Sequence, residues 1–195
     1  SLMILCAAVS AWAQERNTGI GNPAVTTPGT LQSAPTPAPS RPNTADRTFA
    51  HEAAVGGMSE VDLGGLAEHE GQSAAIRAFG QHMVADHSKA NSRLMQLAEV
   101  AGIPLPKEVD AEHRTLQEQL SQLHGAAFDH AFIRGQITDH QQTAQLLEYE
   151  IGSGQDSQVQ AFARDMLPIV MQHLEMAHEM AQNIDAQLSG SSTPS

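Results

Sequence analysis

Ile76-Arg77-Ala78-Phe79-Gly80-Gln81-His82-Met83-Val84 and Val159-Gln160-Ala161-Phe162-Ala163-Arg164-Asp165-Met166-Leu167 match in every apolar position, although they lie in different halves of the chain. Apolar residues recurring at steps of three and four mark one buried face of an amphipathic helix. The match therefore predicts two related helix pairs, each contributing an equivalent helix to one core.

Extending the same spacing along the chain gives four stripes. The first runs Phe49, Ala53, Gly56, Glu60, Leu63, Ala67, and the second Ile76, Phe79, Met83, His87, Ala90, Leu94, Leu97, Ala101. The third is Phe132, Gln136, His140, Ala144, Leu147, Ile151, and the fourth Val159, Phe162, Met166, Val170, His173, Ala177, Met180, Ile184. One metal-capable side chain interrupts each stripe near its middle: Glu60, His87, His140 and His173. This predicts an all-α protein, a four-helix bundle with four such groups at its centre.

Helix boundaries follow from caps and breakers. Helix one is expected from about Ala45, beneath a Thr44 or Asp46 cap, to Glu70, with Gly71 as the stop. Helix two starts after Ser73 and ends at Ala101-Gly102, because Pro104 and Pro106 forbid continuation. A short helix from Lys107 to Leu123 reads as a crossover to helix three, which begins after Gly125 and reaches Ile151. Helix four follows the Gly152-Ser153-Gly154 turn and ends near Leu188.

Outside the bundle, residues 1–13 read as a signal peptide truncated at its start, with Ala11-Trp12-Ala13 a small-x-small cleavage site. The single cysteine, Cys6, lies inside the segment that cleavage removes, and Leu5 before it is larger than a lipoprotein attachment site accepts. The mature chain then has no thiol for disulfides or thiolate ligands. Residues 14–45 are rich in Pro, Thr, Ser and Gly and form a linker too polar to fold; the bundle occupies 46–188 and a polar tail 189–195. The expected location is periplasmic or extracellular, in association with the outer membrane or free of it, with no transmembrane span after signal removal. A formal net charge of −12, with ten Lys and Arg in 195 residues, argues against nucleic acid as a partner.

Glu60, His87, His140 and His173 offer one oxygen and three nitrogens, a set suited to Zn, Fe, Cu or Mn. The competing reading is a metal-free polar core of hydrogen-bonded side chains. Asp86 and Asp139, each preceding a candidate histidine, point toward neighbouring helices and are expected to accept the spare ring proton of the other histidine. Helical rise places Glu60 roughly 7 Å off the level of His87, counted from their shared turn, so Glu60 is the weakest member and His82 the substitute. Glu175 and His178 form a Glu-x-x-His pair that rotates away from the stripe. Gly56-Gly57 and Gly64-Gly65 are expected to let helix one approach its partner closely, and Pro168 removes a backbone bond inside helix four. No Ser/His/Asp arrangement, phosphate loop or catalytic cysteine is visible.

The segments Gly57-Met58-Ser59-Glu60-Val61-Asp62-Leu63-Gly64, Met83-Val84-Ala85-Asp86-His87-Ser88-Lys89-Ala90-Asn91, Phe128-Asp129, Asp139-His140, Leu167-Pro168 and His173-Leu174 resemble the bacterial domain of unknown function 4142 family. The resemblance covers about Thr48 to Asn183. It implies a ferritin-like bundle in an exported or outer-membrane protein and carries no settled reaction. Ferroxidase centres of ferritin-like proteins use several carboxylates and two Glu-x-x-His units, and only Glu60 stands in a comparable place here. Two functions remain open: an exported metal-binding bundle serving as a metal carrier or in redox or stress protection, and a non-enzymatic envelope protein. The expected partners are accordingly a metal ion, and an envelope component or a second copy of the chain.

Overall fold

The computed structural model describes residues 41–190, with side chains as far as residue 186. The leader with Cys6, the linker up to residue 40 and the tail from residue 191 lie outside the described residues. Five helices and no strand are present among the described residues: α1 Thr44–Glu70, α2 Ala74–Ala101, α3 Ala111–Ser121, α4 Gly125–Ser153 and α5 Ser157–Gly190. None is long and apolar enough to cross a membrane.

Each start has a local cause. The cap of α1 is Asn43, not Thr44 or Asp46: Asn43 Oδ1 accepts from the Asp46 N–H at 3.0 Å, and Asp46 Oδ2 accepts from the Asn43 N–H at 2.6 Å. This reciprocal capping box draws Thr44, expected in the linker, into the helix. Ser73 Oγ caps α2 through the Ile76 N–H at 3.1 Å, and Gly102 ends it in the left-handed conformation at φ 66°, which glycine adopts without strain. Asp110 caps α3 through the His113 N–H at 2.9 Å. The crossover helix is therefore shorter than the expected 107–123, because Lys107, Glu108 and Val109 precede the cap. Helix α5 runs unbroken through Pro168.

Two buried aspartates set the topology. Asp129, near the start of α4, accepts from the Gln72 and Ser73 N–H groups of the α1–α2 turn at 2.8 and 3.0 Å. Asp46, near the start of α1, accepts from the Gln155 and Asp156 N–H groups of the α4–α5 turn at 3.1 and 3.0 Å. The start of each hairpin is thus fastened to the turn of the other, so α1 and α4 lie antiparallel. With α3 returning the chain from one end to the other, the result is a four-helix bundle of the ferritin-like kind.

Within the first hairpin, a Cβ at Gly64 would lie 2.9 Å from the Gly80 carbonyl oxygen, and one at Gly80 2.5 Å from that of Gly64. Close helix approach therefore explains Gly64, and Gly57 is likewise filled by Asn91, whereas Gly56 and Gly65 face open space. The apolar core falls into two clusters. One gathers Phe49, Leu94, Leu147, Phe162 and Val170; the other gathers Leu63, Ile76, Phe79, Phe128 and Phe132. Between them lies a layer of buried polar groups: Glu60, His87, Gln136, His140 and His173.

Candidate metal centre

Three long helices each bring one imidazole to this layer: α2 supplies His87, α4 His140 and α5 His173. Their exposures are 6%, 1% and 2%. Centroids of the three rings are 5.8, 5.6 and 5.5 Å apart, and one ring nitrogen of each lies within 4.8 Å of the others. The edge of Phe79 against His173, at a centroid distance of 6.3 Å, helps fix that ring.

Hydrogen bonding decides which nitrogens are free. Asp86 Oδ2 lies 2.9 Å from His173 Nε2, and a carboxyl oxygen accepts there, so Nε2 carries the proton and Nδ1 keeps its lone pair. The backbone carbonyl of Gln136 lies 3.0 Å from His140 Nδ1, which leaves the lone pair on Nε2. His173 Nδ1, His140 Nε2 and His87 Nε2 are all buried without a hydrogen-bond partner. Burial, with His140 and His173 beside it, pushes the pKa of His87 down to about 3. Burial likewise takes His140 down to about 4 against the opposing pull of Asp139. Both rings are therefore neutral at ordinary pH and available as donors.

These groups fit a metal ion. With metal–nitrogen bonds of 2.0–2.1 Å, three imidazoles around one ion would have centroids roughly 5.3–5.6 Å apart. The observed triangle is nearly that size.

Glu60 lies one step from this triad. It is 2% exposed, accepts from Gln136 Nε2 at 2.9 Å through Oε2, and places Oε1 4.0 Å from His140 Nδ1. That is the His140 nitrogen already committed to the Gln136 carbonyl, so Glu60 forms a separate cluster with Asp139 and His140. Burial, reinforced by the charge and hydrogen bond of Asp139, raises the Glu60 pKa well above the usual carboxylate range.

The expected pairing of Asp86 and Asp139 with each other's histidines is corrected. Asp86 serves His173 and Asp139 serves Glu60, because the 100° step from each histidine aims its aspartate at a different neighbour. His82 is exposed and joins neither cluster, as are Glu175 and His178. Gln136 was visible in the sequence only as part of a stripe, yet its carbonyl fixes the His140 tautomer and its amide holds Glu60. The buried aspartates at the turns had a signal of their own, the repeated Asp-x-x-Phe of Asp46 to Phe49 and Asp129 to Phe132.

A family model described as a domain of unknown function, DUF4142, matches residues 31–180. The chain belongs to the DUF4142 family. Two solved structures share its fold. A DUF305 fragment from Deinococcus radiodurans aligns with a TM-score of 0.66 at 13% identity, over 73% of this DUF4142 chain and 99% of the fragment. CopM in its Cu(I)-bound form aligns with a TM-score of 0.60, also at 13% identity, over 71% of this chain and 96% of CopM. Comparison with curated proteins finds no match.

Proposed function

We propose that this DUF4142 protein is an exported metal-binding bundle that takes up one transition-metal ion at His87, His140 and His173, as a metal carrier or in protection against redox or metal stress. The observation that carries the reading is the set of three buried ring nitrogens, from three helices, that lack a partner within the protein. Leaving a buried polar atom unsatisfied costs about 1–3 kcal/mol, so three in one place are a liability for the empty fold that a bound ion removes.

Neutral imidazoles without a thiolate suit Zn, Cu and Fe better than Mn, which prefers oxygen. Zinc at such a site would complete its coordination with a water, whereas Cu(I) can be held by three nitrogens alone. We favour copper, in keeping with the Cu(I)-bound state of the similarly folded CopM. Asp86 would orient His173 and strengthen it as a donor. Export rests on the apolar run Leu2 to Ala11 and the Ala11-Trp12-Ala13 motif.

The test is elemental analysis of the purified protein after loading with Cu(I) or Zn under reducing conditions. About one ion per chain is expected, falling to none in a His87→Ala, His140→Ala double variant. Absence of a stoichiometric ion, with stability unchanged by chelator, would leave the metal-free envelope protein as the better reading.

A further inference from the structure

Glu60 and Asp139 each place a carboxyl oxygen within 4.8 Å of the other and of a His140 ring nitrogen. Glu60 meets that ring at its Nδ1 edge, whereas the triad lies at Nε2. Among the described residues neither carboxyl has an arginine or lysine partner, and His140, 4.0 Å from Glu60, is neutral at ordinary pH. Like charges this close in a core call for a positive partner. Two buried oxygens also lack a hydrogen-bond partner: Glu60 Oε1 and Gln136 Oε1, in side chains of residues 2% and 1% exposed. The second belongs to the amide that already holds Glu60, through Nε2 at 2.9 Å.

The donors define the ion. His140 adds no ligand on this side, because its Nδ1 is committed to the Gln136 carbonyl. What remains is oxygen alone, two carboxylates and an amide, which suits Mg, Ca or Mn(II) rather than the softer ions that imidazoles favour. Two negative charges balance one divalent ion. Asp139 and Gln136 also line a groove of about 640 Å³ between α1, α3 and α4, together with exposed Glu52, Asp110 and Glu112 and a single arginine, Arg134. A groove of that sign attracts cations, and its water can complete the coordination that hard ions retain. We infer that Glu60, Asp139 and Gln136 form a second metal site, which holds one hard divalent cation and is reached from the groove at Asp139. It does not depend on whether the triad takes up a metal.

Mn(II) is the probe, because its sharp EPR signal in water broadens on binding. The full chain should bind about one Mn(II) at this site and melt at a higher temperature with it, since the ion joins α1 to α4. Asp139→Asn and Glu60→Gln, similar in shape but neutral, should each weaken binding about tenfold or more. Both relieve a like-charge contact, so neither should lower the melting temperature of the metal-free protein. A His87→Ala, His173→Ala double variant, which dismantles the triad and spares His140, should bind Mn(II) as the wild type does. So should Asp62→Asn, an exposed carboxylate of α1 away from the groove. Absence of Mn(II) uptake overturns the site and leaves a carboxyl pair satisfied by a proton alone. Equal uptake in Asp139→Asn and Glu60→Gln assigns the ion to the surface, and uptake lost with the two histidines assigns it to the triad; either result overturns the site as well.

Discussion

Each carboxyl oxygen of Asp129 receives a backbone N–H of the α1–α2 turn, whereas His173, in the same bundle, keeps one buried nitrogen without any partner. Asp46 at the opposite end resembles Asp129, with three N–H donors gathered from Asn43, Gln155 and Asp156. Buried polar groups that are fully partnered act as stitches, fastening the turn of one hairpin to the start of the other. The three ring nitrogens left without a partner detract from the stability of the fold, and on the proposed reading they are what an ion would bind. The contrast separates what holds the bundle together from what the bundle is for.

Four measurements can break or sharpen that contrast. The largest effect is expected from the metal itself: at an ion concentration 1,000-fold above Kd, binding to the native state adds about 4 kcal/mol. Denaturant titrations with and without Cu(I) should show that increment in the wild type and none in the His87→Ala, His140→Ala variant.

Removing a stitch should cost somewhat less and do so regardless of metal. Asp46→Ala leaves the α4–α5 turn N–H groups without their acceptor and dismantles the capping box, at about 3 kcal/mol. Urea midpoints should fall equally with and without the ion; a loss confined to the loaded protein would erase the distinction drawn here.

Glu150 gives a pH-dependent version of the same test. It is fully buried against Asp46, and burial, with the hydrogen bond and charge of Asp46 and the charge of Asp156, raises its pKa to about 8. A Cβ at Gly154 would collide with its carboxyl, which fixes the tight turn above it. The folded protein holds a proton that the unfolded chain releases near pH 4.5. Its stabilising contribution is therefore complete below that pH and is lost as pH rises through about 8. Glu150→Gln, neutral throughout, should match the wild type in stability near pH 4.5 and exceed it by a margin that grows as pH rises toward 8. A constant difference across that window would exclude a buried proton at Glu150.

The smallest effect has the opposite sign from the stitches. His87→Leu removes one unpartnered nitrogen and keeps a side chain of similar bulk. In the metal-free protein it should raise stability by about 1 kcal/mol while abolishing metal uptake. Destabilisation of the empty protein would mean that His87 is a satisfied core residue.

Much of this was legible in the residues. The apolar echo between Ile76 to Val84 and Val159 to Leu167 is a local, periodic signal, and it located α2, α5 and the equivalence of the hairpins. His87, His140 and His173 stood out because an imidazole in a leucine's place is a conspicuous break in a stripe. Partner choice was not legible. One step along a helix rotates a side chain by 100°, and whether Asp86 then meets His140 or His173 depends on interhelical angle and stagger, which periodicity does not encode. The height count set Glu60 apart from His87, and Glu60 falls in the cluster with Asp139 and His140, outside the triad. Glu60 does lie beside the triad, at a His140 nitrogen already in use.

The sequence by itself determined that the protein is a helical bundle with four ionisable groups on its buried faces, because amphipathic periodicity and capping act over a few residues. Only the tertiary structure decided that three of those groups lie together and that the fourth clusters instead with Asp139 and His140. Ring tautomers are set by acceptors on other helices or a turn away, and the distances that matter, a few ångströms across the core, are fixed by packing between segments as much as 87 residues apart.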